Sequence, residues 1–166
     1  KAQISFPYNT TSTASTATLS AGLVCVGTVE NTNYLFSIPS DITTTIVNGV
    51  ANFDNINIFQ GTFLRKQFVV DGSLDQRFLL DNSFIDSSTI VVKVKGLSDT
   101  GVGREYSQAN NILNIDSTSE IYLLQEVKDE RYELLFGDGY FGKKLENGAV
   151  ITVSYIITAR YWEAYI

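Results

Sequence analysis

The sequence predicts an all-β chain, built as two small antiparallel sandwich-like or barrel-like modules with little helix. Three observations carry that reading. Thr, Val, Ile, Tyr and Phe dominate the texture, while Ala-Leu-Glu-Lys helical blocks are almost absent. Apolar and polar residues alternate with a period of two in several runs. Turn signals recur at short intervals between those runs.

Taken in chain order, Ile4, Phe6 and Tyr8 alternate near the start. The segment from Thr10 to Ser20 is nearly all Thr, Ser and Ala. Its β-branched threonines favour a strand or an extended connection over a flexible linker. Asn9-Thr10-Thr11 fits a glycosylation acceptor, a tripeptide common by chance and unsupported here by any secretory signal. Ile56 and Ile58 alternate with Asn55, Asn57 and Phe59. The clearest strand runs from Ile90 to Lys95, with Ile90, Val92 and Val94 on one face and Lys93 and Lys95 on the other. Tyr132, Leu134 and Phe136 repeat the pattern against Arg131 and Glu133, as do Ile151, Val153 and Tyr155 against Thr152 and Ser154. Punctuation comes from Asn48-Gly49, Asp71-Gly72, Asp81-Asn82, Gly101-Val102-Gly103, Gly137-Asp138-Gly139 and Asn147-Gly148. Ser107 to Leu113 is the best helix candidate, worth a turn or two. Almost all basic residues lie beyond Gln60. The expected division is therefore a Thr/Asn-rich module over 1–62, a second module over 63–158 carrying the FGDGYFGKK hairpin, and a tail over 159–166.

Composition narrows the function classes. At 166 residues, with 44% hydrophobic residues, the chain can bury a core without a disulfide or metal staple. Charged residues reach only 18%, which points to surface facing other protein. A net charge of −6 and scattered basic residues argue against nucleic acid. No stretch approaches the ~20 apolar residues of a membrane span. The absence of His removes the commonest general base and metal ligand, with every Ser-His-Asp or Cys-His arrangement. Cys25, inside Leu23-Val24-Cys25-Val26, reads as a small buried hydrophobe. Asp71, Asp75, Asp81 and Asp86 sit beside turn residues without EF-hand spacing, so turn chemistry is their expected role. The chain begins with Lys and contains no Met, and is expected to be a segment of a longer protein or a processed form.

One motif imitates chemistry. Gly137-Asp138-Gly139-Tyr140-Phe141-Gly142 satisfies G-x-G-x-x-G, and with Lys143 it nearly satisfies a P-loop. A P-loop needs Ser or Thr after the lysine, and Lys144 stands there. Both nucleotide motifs also need a helix directly after the glycines, whose amides hold phosphate. Here the glycines lead instead to Asn147-Gly148 and a strand. Gly137, Asp138, Gly139, Gly142, Asn147 and Gly148 are therefore expected to be structural turn residues. Tyr140 and Phe141 are expected at the turn as core or interface anchors.

Several phrases together resemble the baseplate wedge proteins of T-even-type contractile-tail phages, a family related to baseplate J-like proteins. They are Ile56 to Thr62 (INIFQGT), Phe68 to Asp71 (FVVD), Gln76 to Leu80 (QRFLL), Asp86 to Val94 (DSSTIVVKV) and Ser119 to Glu126 (SEIYLLQE). The last and most specific is Arg131 to Leu145 (RYELLFGDGYFGKKL). Their order matches as well, over about Phe53 to Tyr155. After Thr158 the family pattern expects a Gly/Asn-rich continuation, and the chain instead reads ARYWEAYI. The resemblance implies an internal or C-terminal fragment of a structural wedge subunit that dimerises, contacts other wedge proteins and closes a ring around the tail hub. It implies location in the virion after assembly in the host cytoplasm, and no catalytic residues. Tyr161, Trp162 and Tyr165 would then suit an interface.

The alternative is a carbohydrate-binding or receptor-binding β-sandwich, because exposed Tyr and Trp beside Asn and Asp also suit sugars. An enzyme would need paired carboxylates such as Asp138 with Glu133 or Glu146, whose placement in a hairpin does not favour a cleft. The expectation is a non-enzyme with no cofactor, metal, nucleic acid, membrane or small-molecule substrate.

Overall fold

A computed structural model describes residues 1–111 and 115–158. In chain order the strands are β1 (Ala2–Asn9), β2 (Thr16–Leu19), β3 (Gly22–Val29), β4 (Thr32–Ile38), β5 (Ile42–Val47), β6 (Val50–Gln60) and β7 (Thr62–Val69). They continue with β8 (Phe78–Leu80), β9 (Ile85–Lys95), β10 (Arg104–Gln108), β11 (Ile121–Val127), β12 (Arg131–Phe136) and β13 (Val150–Ile157). The chain is all-β, as its alternation predicts. The expected helix at Ser107 is absent: Ser107 and Gln108 end β10, where only Tyr106 points inward. Its far end, Leu113, lies outside the described residues. β10 uses both backbone edges, against β9 and against β11, and that pairing outweighs weak helical propensity.

The strands pack as two units, Lys1–Leu64 with Ile156 to Thr158 of the described residues, and Arg65–Tyr155. In the first, the sheet order is β2-β5-β6-β4-β3, with β1 also paired to β6. β5 and β6 form a hairpin at Asn48-Gly49, where both residues have positive φ (52° and 77°), as a type I′ turn demands. β3 and β4 turn the same way at Glu30-Asn31 (φ 46° and 68°). A bulge interrupts β1–β6 between Ile4 and Phe6. Opposite it, Asn55 has φ 55° and donates its N–H to Ser5 Oγ at 2.8 Å. The extra residue shifts the inward phase of β6, so Ala51 and Phe53 are buried before it and Ile56 and Ile58 after it. Phe6 stacks on Phe53, with ring centroids 5.2 Å apart. Cys25, half-buried, packs against this core.

In the second unit the order is β7-β13-β9-β10-β11-β12-β8. The β10–β11 pair runs parallel, through Ser107 opposite Ile121 and Gln108 opposite Tyr122, a departure from the expected antiparallel sheet. Leu80, Val92, Leu134, Ile151, Val153 and Tyr155 are fully buried. Phe68, Phe78, Phe136 and Tyr106 form a chain of edge-to-face contacts, with centroids 5.6, 5.4 and 6.0 Å apart. Two residues expected on wet faces are buried. Ser154 lies on β13, where Val153, Ser154, Tyr155 and Ile156 are buried in succession, so both faces of the strand are covered there. Glu133 is only 7% exposed, and Arg77 grips it as a fork, with Nε and Nη2 at 2.7 and 2.6 Å from its two oxygens. That hydrogen bonding holds the Glu133 carboxyl below its ordinary range, against the opposing effect of desolvation.

The FGDGYFGKK hairpin is also corrected. β12 and β13 are not neighbours, so residues 137–149 form a crossing connection between strands that pair elsewhere. At Asn147-Gly148 only the glycine has positive φ (85°), and Ala149 N donates to Glu146 O at 3.0 Å. A turn with positive φ at its third residue alone is of type II, which does not match the twist of a tight hairpin.

Core truncation should separate the buried from the exposed leucines. Leu134→Ala, at a site 1% exposed, should lower stability by about 2–5 kcal/mol in urea unfolding. Leu123→Ala, at 36% exposure on the neighbouring strand, should cost far less.

Candidate functional site

The glycine segment folds back on itself. A Cβ on Gly137 would lie 2.2 Å from the carbonyl carbon of Gly142, so two backbones touch where no side chain fits. Gly137 and Lys144 form an isolated bridge, and Gly139 N donates to Gly142 O at 3.1 Å. Inside the loop, Asp138 Oδ1 accepts from Tyr140 N at 2.9 Å and Phe141 N at 2.8 Å. These two amides hold the Asp138 carboxyl below its ordinary value, Phe141 having the larger effect. Tyr140 is thereby presented 89% exposed at the tip, with Phe141 42% exposed beside it.

A second turn carries this loop. Asp116 Oδ1 accepts from Thr118 N, Thr118 Oγ1 and Ser119 Oγ, at 2.8, 2.8 and 2.9 Å. The turn's carbonyls then face the loop: Gly142 N donates to Asp116 O at 3.0 Å and Lys143 N to Ser119 O at 2.8 Å. The attachment ends in an ionic cluster. Lys143 Nζ and Arg104 Nη1 both donate to Glu120 Oε1, at 2.8 and 3.1 Å. Lys143, through its hydrogen bond, is the main cause of the lowered Glu120 pKa, and the same bond raises Lys143. Arg104, Glu120 and Lys143 themselves line a pocket of about 120 Å³, together with Tyr106, Asp99 and Glu146. β13 begins at Val150 without an intervening helix, so no helix N-terminus stands over the glycines.

A family model described as bacteriophage baseplate wedge protein gp6, third domain, matches residues 62–161. The chain belongs to this family. No curated protein matches it. The role that comes with the family is structural, in the tail baseplate of the phage virion. The matched wedge domain takes in β7 to β13 and the whole glycine loop.

Within the wedge domain the sequence-expected residues fall into two groups. Gly137, Asp138, Gly139 and Gly142, with Tyr140 and Phe141, form the loop. Asn147 and Gly148 form the separate turn before β13, where Gly148 N donates to Val70 O at 2.7 Å. Tyr161, Trp162 and Tyr165 lie outside the described residues. Of the aspartates considered as cation ligands, Asp71 takes Ser73 N and Asp86 takes Ser88 N within their own turns, while Asp81 pairs with Lys66, and among the described residues no cluster of them could hold a metal ion. Sequence reasoning missed the supporting turn and the Glu120 cluster. The pattern Asp116-Ser117-Thr118-Ser119, an acid followed by hydroxyls, was the signal available for the turn.

Two outcomes test this construction. Gly142 has φ +83°, and an added Cβ would meet Ile121 at 3.0 Å, so Gly142→Ala should destabilise by about 1–2 kcal/mol in thermal or urea unfolding. The carboxyls of Asp116, Asp138 and Glu120 are all lowered from ordinary values of 3.8, 3.8 and 4.5. Their contribution is complete above those values and is lost as pH falls through the lowered ones. The melting temperature should therefore hold level down to about pH 5 and fall below about pH 4, with a shallower fall in Asp138→Ala.

Proposed function

We propose that this wedge domain helps build the ring around the tail hub through homo-dimerisation and contacts to other baseplate wedge proteins, with the glycine loop as one contact surface. The observation that carries this reading is the display of Tyr140 and Phe141 on a backbone fixed by Asp138, Gly142 and the Asp116 turn. Aromatic side chains that lose little freedom on docking are the usual centre of a protein interface. In the same reading residues 1–62 and 63–158 are two modules of one subunit, and Tyr161, Trp162 and Tyr165 add to its contacts. The subunit is assembled in the host cytoplasm and acts without catalysis, cofactor, nucleic acid, membrane or small-molecule substrate. The engagement of Glu133 by Arg77 and of Asp138 by backbone amides supports a non-catalytic role, since neither carboxylate is free to exchange protons with a substrate.

Sedimentation of the chain, alone and with purified wedge proteins of the same phage, tests the proposal. Self-association or a mixed complex is expected, weakened about tenfold or more in Tyr140→Ala/Phe141→Ala at unchanged melting temperature. A chain that stays monomeric at high concentration and joins no wedge protein would sink it. Hits on a glycan array would favour the sugar-binding alternative.

A further inference from the structure

The seven-stranded sheet of the second unit ends in β7 on one side and β8 on the other, and no ladder joins them among the described residues. Their edges nevertheless face each other. Phe68 of β7 meets Phe78 of β8 edge-on at 5.6 Å, and Lys66 Nζ of β7 donates to Leu79 O of β8 at 2.8 Å. The same ammonium pairs with the Asp81 carboxylate and lies 5.1 Å over the Phe68 ring. The sheet thus closes on itself through side chains.

The far end of β7 is sealed in the same manner. Val70 N donates to Ala149 O at 2.9 Å and Val70 O accepts from Gly148 N at 2.7 Å, which fixes the edge that Val70 uses. Backbone groups alternate along an extended chain, so Val69 O and Asp71 N point to the opposite edge. There the Gln76 carboxamide takes both, with Nε2 donating to Val69 O at 2.7 Å and Oε1 accepting from Asp71 N at 2.9 Å. A carboxamide carries the donor and the acceptor of a peptide group, so Gln76 stands in for a neighbouring strand. Arg77, next in sequence, forks onto Glu133 of β12 and pins the start of β8 from its other side.

We propose that the β7–β8 seam is a latch, held shut by Lys66 and Gln76, and that the barrel opens there before it opens elsewhere. A seam bridged by side chains has fewer hydrogen bonds to break than a backbone ladder. Its ion pair, with the Asp81 side chain 65% exposed, is screened by salt. β8 itself is three residues long and pairs with β12 at three register positions, so its backbone ladder is short, and it is held besides by the burial of Leu80 and the Arg77–Glu133 fork.

Residue-resolved amide exchange on the whole chain tests this. In the unmodified protein the amides of Phe78 and Leu80, the two that face β12, should exchange faster than those of Val92, Val94 and Tyr106, and faster again as salt is raised. Lys66→Met should speed exchange in β8 by about tenfold and leave β9 to β11 nearly unchanged, with Lys66→Arg restoring much of the protection. Gln76→Ala should expose the Asp71 amide by a similar factor. Exchange of β8 in step with β9 to β11 in the unmodified protein would overturn the proposal, and that measurement requires no variant. An even rise across all strands in Lys66→Met, or no change in β8, would overturn it as well.

Discussion

Backbone N–H and C=O groups withdrawn from water must find partners, and in an all-β chain that requirement falls hardest on strands at the ends of sheets. The two units meet it by different means. In the first, β1 carries Pro7, which has no N–H to offer a further strand. β2 is four residues long, and β3 has an irregular register between Leu23 and Cys25. Each device blunts an edge that would otherwise invite pairing. The second unit curls its sheet until the end strands meet and gives their polar groups to Lys66 and Gln76. Leu23, Val26 and Val29 remain exposed along β3, so blunting leaves apolar surface as well as backbone in water.

The glycine loop obeys a steric version of the same constraint. Its backbone crosses itself at Gly137 and Gly142, and the crossing leaves the amides of Tyr140 and Phe141 for Asp138 and those of Gly142 and Lys143 for the Asp116 turn. The loop is held in place by several contacts that are individually modest. Within the motif that resembles a phosphate cradle, Gly137 and Gly142 let two backbones touch, and the amides of Gly139, Tyr140, Phe141, Gly142 and Lys143 have partners inside the protein.

Much of this was legible in the sequence. Alternation located β1, β6, β9, β12 and β13, and Asn48-Gly49 located a turn, because burial of one face and positive φ are local demands. Glu30-Asn31 turns as tightly without an Asn-Gly signature, its geometry being imposed by the pairing of β3 with β4. The burial of Glu133 depends on Arg77, 56 residues away, and no pattern within β12 announces it. The hairpin expected at FGDGYFGKK failed for a related reason. Adjacent strands in sequence usually pair, but here β13 slots between β7 and β9 while β12 goes to β11 and β8. The loop's local character was readable; which strands it connects in the sheet was a property of the whole domain.

The position of β13 also has a meaning in time. A ribosome delivers β7 through β12 before it delivers β13, and yet β13 lies between β7 and β9 and supplies Ile151, Val153 and Tyr155 to the core. During synthesis the early strands therefore wait with a gap in their sheet and with apolar surface uncovered. The domain cannot acquire its native sheet gradually from one end. It closes only after β13 leaves the ribosome, which delays any partner that recognises the finished fold until the polypeptide has been made past Ile157.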